Sequence, residues 1–304
     1  MYDTIIIGAG PAGMTAALYA ARSNLKVATL EQGAPGGQMN NTADIENYPG
    51  YDMISGPELS MKMFEPLEKL GVENLYGIVS KIEEDGPIKK VITDDQVYEA
   101  KTVILATGAK HRHLGVPGEE TYSSRGVSYC AVCDGAFFRD QELLVVGGGD
   151  SAVEEALFLT QFAKKVTIVH RRDELRAQKV LQERAFAHDK IDFIWDSVVK
   201  EIKGDDNKVT SVDFENLKTG QISNQAFGGV FVYVGLDPVS SMVEDLGITD
   251  DDGWVPTDDH MRTSLSGLFA VGDVRQKDLR QITTAVGDGA TAAQEAYHYI
   301  VDHF

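Results

Sequence analysis

Two glycine-rich loops constrain this chain more than any other feature: Gly8-Ala9-Gly10-Pro11-Ala12-Gly13 and Gly147-Gly148-Gly149-Asp150-Ser151-Ala152. Each stands between a short apolar run and an alanine-rich stretch. Thr4 to Ile7 is β-branched throughout, as a buried parallel strand tends to be. A helical stretch follows the first loop to about Arg22, and a second strand, Lys26 to Leu30, ends at Glu31. Leu143 to Val146 restarts the pattern. Its helix puts Ala152, Ala156, Leu159 and Ala163 on one face, and its next strand is Val166 to Val169. Strand, tight glycine turn, helix and strand make the unit that binds dinucleotides.

Two such units need two domains, and 304 residues fit that count at about 150 residues per domain. Thr102–Gly108 and Gly229–Gly235 read as the late strand of each sheet. Gly267–Asp273 is a third such segment, far from either start. The expected fold class is therefore α/β, with two Rossmann-like three-layer dinucleotide-binding domains and the second inserted into the first. The expected division is 1–114 with 240–304, and 115–239. The crossovers are placed near Arg112 to Pro117 and near Gly235 to Ser240, each containing a proline.

Composition narrows the function classes. Twenty-eight Lys and Arg against 47 Asp and Glu give a net charge of −19, which argues against nucleic acid and anionic membrane as partners. The run Ile5 to Ala21 is interrupted by Gly8, Gly10, Pro11 and Gly13 and reads poorly as a membrane span. No basic region precedes an apolar run at the N-terminus, so no signal peptide is expected. Two cysteines suit a reducing cytoplasm better than a disulfide scaffold.

The two loops have different surroundings in the chain. In the first, Gly8 allows the tight turn, Gly10 lets the backbone approach a pyrophosphate, and Gly13 lets helix and strand pack closely. Glu31 is placed to accept from a ribose 2′-hydroxyl. In the second unit Ala152 replaces the third glycine. The strand after it ends in His170-Arg171-Arg172, with Arg176 beyond and no acid where Glu31 stands. Guanidinium groups hold a 2′-phosphate that a carboxylate repels. The first site is expected to take an unphosphorylated adenosine ribose and the second NADPH. Hydride from NADPH then needs a second bound cofactor, for which a flavin is the natural choice.

Cys130-Ala131-Val132-Cys133 holds both cysteines of the chain and is its one candidate for accepting those electrons. Zinc needs further ligands, and the sequence has no second C-x-x-C and no nearby paired histidines. Asp134 follows directly and is suited to deliver a proton.

With these motifs in order, the sequence closely resembles the bacterial low-molecular-weight thioredoxin reductases over essentially its whole length. Besides the two loops, the matching blocks are Gly36-Gly37-Gln38, Glu46-Asn47-Tyr48-Pro49-Gly50, Ala106-Thr107-Gly108, Cys130 to Gly135, His170 to Arg172 with Arg176, Gly272-Asp273 and Arg280-Gln281. The resemblance implies FAD on Gly8, Gly10, Pro11, Gly13, Glu31, Gly37, Gln38, Asn47, Ala106, Thr107, Gly108, Gly272, Asp273, Arg280, Gln281 and Ile282. It implies NADPH on Gly147, Gly149, Ser151, His170, Arg171, Arg172 and Arg176. It implies a Cys130–Cys133 disulfide, Cys133 facing the flavin with Asp134 as proton donor, and Cys130 attacking thioredoxin. It also implies a homodimer and a rotation of one domain against the other between half-reactions.

The nearest rival keeps the fold and serves a peroxiredoxin or a glutaredoxin-like protein instead. The cysteine pair argues against the ferredoxin–NADP reductase branch, and the arginines argue against oxidases that need no NADPH. Two complete nucleotide sites beside a C-x-x-C argue against a non-catalytic sensor.

Overall fold

The computed structural model describes residues 1–41, 45, 47–123 and 125–304, with backbone alone at 41, 132 and 133. The chain divides into two compact units, Met1–Lys110 with Asp237–Phe304, and His111–Leu236. The crossings thus fall a few residues before the expected 114/115 and 239/240.

The first unit opens with β1 (Tyr2–Ile7), whose Ile5 and Ile6 are fully buried, and α1 (Pro11–Arg22). Pro11 stands at the start of α1, where its missing N–H costs nothing. β2 (Val27–Glu31) pairs parallel to β1. α2 (Gly56–Lys69) begins at Ser55, whose hydroxyl accepts the Glu58 N–H at 3.3 Å. β3 (Glu73–Tyr76) completes the parallel edge. β4 (Val79–Asp85), β5 (Ile88–Thr93) and β6 (Val97–Leu105) form an antiparallel meander. β6 is long enough to serve both halves: its start pairs with β5 and its end lies parallel to β1.

The chain leaves this unit at β7 (Ala109–His111). The second unit contains β8 (Val127–Ser128), the one-turn helix α3 (Ala131–Asp134), β9 (Glu142–Gly147), α4 (Asp150–Leu159) and β10 (Lys165–Val169). α5 (Lys179–Phe186) and β11 (Ile191–Ile194) follow. β12 (Ser197–Gly204), β13 (Val209–Asn216) and β14 (Ile222–Ala226) make a separate antiparallel sheet. β15 (Gly229–Tyr233) then enters the parallel sheet, whose order is β11-β10-β9-β15-β8.

The helix after the second loop is shorter than its alanine pattern suggests. It ends at Leu159, and Ala163 lies beyond it while staying buried in the same core. The chain has to turn there: the Lys164 N–H already bonds Gln141 O at 2.9 Å, setting the register of β10 beside β9.

The chain returns through β16 (Leu236–Pro238), which pairs with β7. β17 (Leu268–Ala270) joins the first sheet, parallel to the end of β6, so the C-terminal segment completes the sheet that the N-terminus began. α6 (Ile282–His303) closes the unit by packing on α1. Gly289 makes that approach possible, since a Cβ there would lie 2.2 Å from Ala12 O.

Candidate cofactor and redox sites

The first glycine loop is built by contact with its own sheet. Gly8 has φ of +100°, and a Cβ on it would lie 2.3 Å from Ala106 O. A Cβ on Gly13 would lie 1.9 Å from Gly8 O, whereas Gly10 faces open space. That is the arrangement a pyrophosphate requires: two glycines tightened against protein and one left clear. Glu31 is fixed at the loop by three backbone donors. Oε2 accepts the Ala9 N–H at 2.9 Å, and Oε1 accepts those of Gln32 at 2.8 Å and Gly33 at 3.1 Å. Gly37 sits against the loop, its would-be Cβ 3.2 Å from Gly10 Cα.

Other expected residues gather nearby in the same unit. Gln38 Nε2 donates to Ala109 O at 3.2 Å, and Thr107 Oγ1 donates to Val239 O at 2.6 Å. Gly108 O accepts the Val239 N–H at 3.0 Å. Asn47 Nδ2 donates to Gln281 Oε1 at 3.0 Å, and Gln281 caps α6, whose first residue is Ile282. Glu46 lies outside the described residues. Gly272 rests on the start of α1, its would-be Cβ 3.0 Å from Ala12 Cβ. Arg280 lies 3.8 Å over the Trp254 ring, and its Nε donates to Asp273 O at 3.4 Å. Burial pushes the Asp273 carboxyl up, against the pull of Lys277 and Arg280.

Sequence reasoning missed Asp288. This buried α6 residue accepts the Gly272 N–H at 2.9 Å and Lys277 Nζ at 2.8 Å, and it pairs with Arg275 at 2.9 Å. It pins the Gly272-Asp273 turn. The available signal was a lone acid in the small-residue run Ala285 to Ala293.

The second loop repeats the design with one change. A Cβ on Gly147 would lie 2.4 Å from Tyr233 O and 2.7 Å from Ala152 Cβ, while Gly149 faces open space. His170 packs against Gly148, is 5% exposed, and has no partner for Nε2. Burial, then the charges of Arg176, Arg171 and Arg172, push its imidazole down, so it is neutral at pH 7. The Arg176 N–H donates to Gly148 O at 2.7 Å, which brings the arginine loop to the glycine loop. Arg171, Arg172 and Arg176 are exposed and form no ion pair among the described residues. Ser151 is exposed in the first turn of α4. An orphaned buried imidazole nitrogen and three uncommitted guanidiniums beside an open glycine fit a phosphorylated dinucleotide.

The redox tetrapeptide belongs to the same unit. Cys130 is disulfide-bonded, and the side chain of Cys133, the chain's other cysteine, lies outside the described residues. Ser128 Oγ accepts the Cys130 N–H at 3.0 Å and donates to Asp134 Oδ2 at 2.6 Å. Tyr233 Oη accepts the Ala131 N–H at 2.7 Å. Burial, and after it the charge of Glu155, push the Tyr233 hydroxyl up, so it stays protonated. Glu119 was also missed from sequence. It is 2% exposed and accepts from Leu114 N–H at 2.9 Å, Gly115 N–H at 2.7 Å and Tyr129 Oη at 2.7 Å. It fastens the segment entering this unit to the residue before Cys130.

Comparison with known proteins agrees with this chemistry. The model of the pyridine nucleotide-disulphide oxidoreductases matches residues 2–289. A thioredoxin reductase of Listeria monocytogenes is 56% identical over 300 residues, covering 99% of this chain and 94% of its own. One from Bacillus subtilis is 55% identical, covering 99% and 95%. The crystal structure of Lactococcus lactis thioredoxin reductase superposes with a TM-score of 0.91 at 68% identity, covering 99% of this chain and all of its own. That of the Streptococcus pyogenes enzyme is 77% identical with a TM-score of 0.75, covering 100% and 99%. The chain belongs to the pyridine nucleotide-disulphide oxidoreductases and, within them, to the bacterial low-molecular-weight thioredoxin reductases. It is an NADPH-dependent flavoprotein that reduces thioredoxin, with FAD and NADPH as cofactors.

Proposed function

We propose that the unit holding residues 1–110 and 237–304 is the FAD domain and that residues 111–236 form the NADPH domain carrying the redox pair. The observation that carries this is the contrast between the loops. Glu31 closes the first with a carboxylate held by three N–H groups, while Arg171, Arg172 and Arg176 flank the second. Gly8, Gly10, Pro11, Gly13, Glu31 and Gly37 hold the adenosine and pyrophosphate of FAD. Gln38, Asn47, Ala106, Thr107, Gly108, Gly272, Asp273, Arg280, Gln281 and Ile282 hold the rest. Gly147, Gly149, Ser151, His170 and the three arginines hold NADPH.

When bound, FAD supplies a two-electron relay between a hydride donor and a disulfide. The chain's own residues do the remainder. The Cys130–Cys133 disulfide accepts the electrons, Asp134 holds a proton for the departing sulfur, and Ser128 aims the Asp134 carboxyl. The dithiol then exchanges with thioredoxin, Cys130 attacking. NADPH, one proton and the thioredoxin disulfide become NADP⁺ and the thioredoxin dithiol. Between half-reactions one unit is proposed to rotate against the other, and the paired crossovers β7 and β16 would serve as the hinge. The enzyme works as a cytoplasmic homodimer. No helix among the described residues is long and apolar enough to cross a membrane.

The test is NADPH oxidation at limiting enzyme, with and without a thioredoxin from the same source. Fast, thioredoxin-dependent oxidation is expected. Oxidation unaffected by thioredoxin but stimulated by a peroxiredoxin or a glutaredoxin-like protein would move the reading to that acceptor.

A further inference from the structure

Glu155 belongs to neither nucleotide site nor the redox turn, yet the helix that carries it, α4, packs on the redox helix. Ala152, Val153, Ala156 and Leu159 form the buried stripe of α4, and the half-buried Glu155 borders it, three residues on from Ala152. Its Oε2 is buried and has no hydrogen-bond partner. Ala152, Ala156 and Leu159 pack in one cluster with Ala131 of α3. Tyr233 stands at the end of β15, opposite Gly147, and its hydroxyl takes the Ala131 N–H at 2.7 Å. Glu155 is the foremost charge acting on Tyr233, with Asp134 behind it.

Few other charges reach this place. α3 contributes Asp134, β15 contributes Tyr233, and α4 itself contributes Glu154. α5 contributes Arg184, which acts on Glu154. β9 and β10 pack on α4 through Leu143, Val145, Val166 and Ile168. Among the described residues no cation offsets the burial of Glu155, and its carboxyl is pushed up to about 7. Its charge therefore changes near neutral pH.

We propose that Glu155 is a positioning residue for the disulfide chemistry, coupling its own protonation, through the Tyr233 hydroxyl and the backbone beside Cys130, to the oxidation state of the Cys130–Cys133 pair. This rests on the reading of those cysteines as the redox pair. Two electrons from NADPH break the S–S bond. One sulfur takes a proton and the other is left as a thiolate. The thiolate's negative charge raises the proton affinity of Glu155, which takes its proton from bulk water. Oxidation of the dithiol by thioredoxin removes the charge and releases that proton. By reciprocity, an ionised Glu155 disfavours the thiolate.

The experiment uses the FAD-loaded enzyme, reduced with NADPH without oxygen, and follows the rate of cysteine alkylation by iodoacetamide from about pH 5 to about pH 9. The unmodified enzyme should show two inflections, one from the thiol and one near neutrality. Glu155→Gln should abolish the neutral inflection and speed alkylation about tenfold at neutral pH, because the opposing charge is gone. Glu155→Asp keeps a titrating carboxyl and should keep the inflection, and Tyr233→Phe should shrink it. An unchanged profile in Glu155→Gln overturns the inference, even if its stability changes. So does a single inflection in the unmodified enzyme, which tests it without any variant. If NADPH generates no alkylatable thiol at all, the redox-pair reading itself fails, a distinct result.

Discussion

Ser128 Oγ lies 2.6 Å from Asp134 Oδ2 and donates to it, while one of its two lone pairs accepts the Cys130 N–H at 3.0 Å. One hydroxyl therefore fixes both the residue that begins the redox turn and the acid that ends it. Ser128→Ala should leave NADPH binding intact and lower thioredoxin-linked kcat by about tenfold, less than the roughly 10²–10⁴-fold that a positioned acid itself contributes, because the acid stays in place and loses only its aim. KM for thioredoxin should stay unchanged. Steady-state kinetics with varied thioredoxin check this, and a defect confined to KM would contradict it.

Charge choice at the second loop is expected to reside in Arg171 and Arg172. Each charge-assisted contact to a 2′-phosphate is worth about 1.5–3 kcal/mol. Replacing both with Ala should collapse the preference for NADPH over NADH while leaving NADH turnover nearly constant. The ratio of kcat/KM for the two nucleotides is the readout.

The glycines should separate fold from binding. Gly149→Ala meets no protein atom, so its unfolding midpoint should match the parent closely while KM for NADPH rises. Gly147→Ala would place a Cβ 2.4 Å from Tyr233 O, so it should lower the midpoint as well. Equal stability losses in the two variants would contradict the assignment.

Glu119 should matter for stability rather than chemistry. Glu119→Gln keeps the shape but turns an amide nitrogen toward donors that need an acceptor. A loss of about 2–3 kcal/mol is expected from denaturant unfolding.

Glu155 makes the opposite contribution. Its folded pKa, about 7, lies above its ordinary value of 4.5. Between these limits the unfolded chain ionises first, so stability falls as pH rises from about 4.5 to about 7 and is constant beyond. Glu155→Gln removes that slope. Denaturant midpoints across this range, compared with the parent, should show the parent losing up to about 3 kcal/mol more than the variant.

The two βαβ units are legible in the sequence because a tight turn against a sheet needs glycine at fixed offsets, as Gly8 and Gly13 show by their contacts. The return of the C-terminus to the first sheet is legible from the apolar run that becomes β17. The meanders β4–β6 and β12–β14 are not. Their strands mix charged with apolar residues, as in Lys89, Lys90 and Glu99 along the β5–β6 pairing, and carry no fingerprint. Ser128, Glu119, Asp288 and Glu155 are equally hidden. Each is an ordinary residue in sequence, and burial or bonding partners from elsewhere in the fold give it a role.

Anaerobic titration of the FAD-loaded enzyme with NADPH tests the central claim most directly. If electrons pass from NADPH through FAD to the cysteine pair, the unmodified enzyme should take up about twice the NADPH that Cys130→Ser or Cys133→Ser does, and free thiols should appear as it does so. Equal uptake in all three proteins, with no thiols formed, would contradict the account.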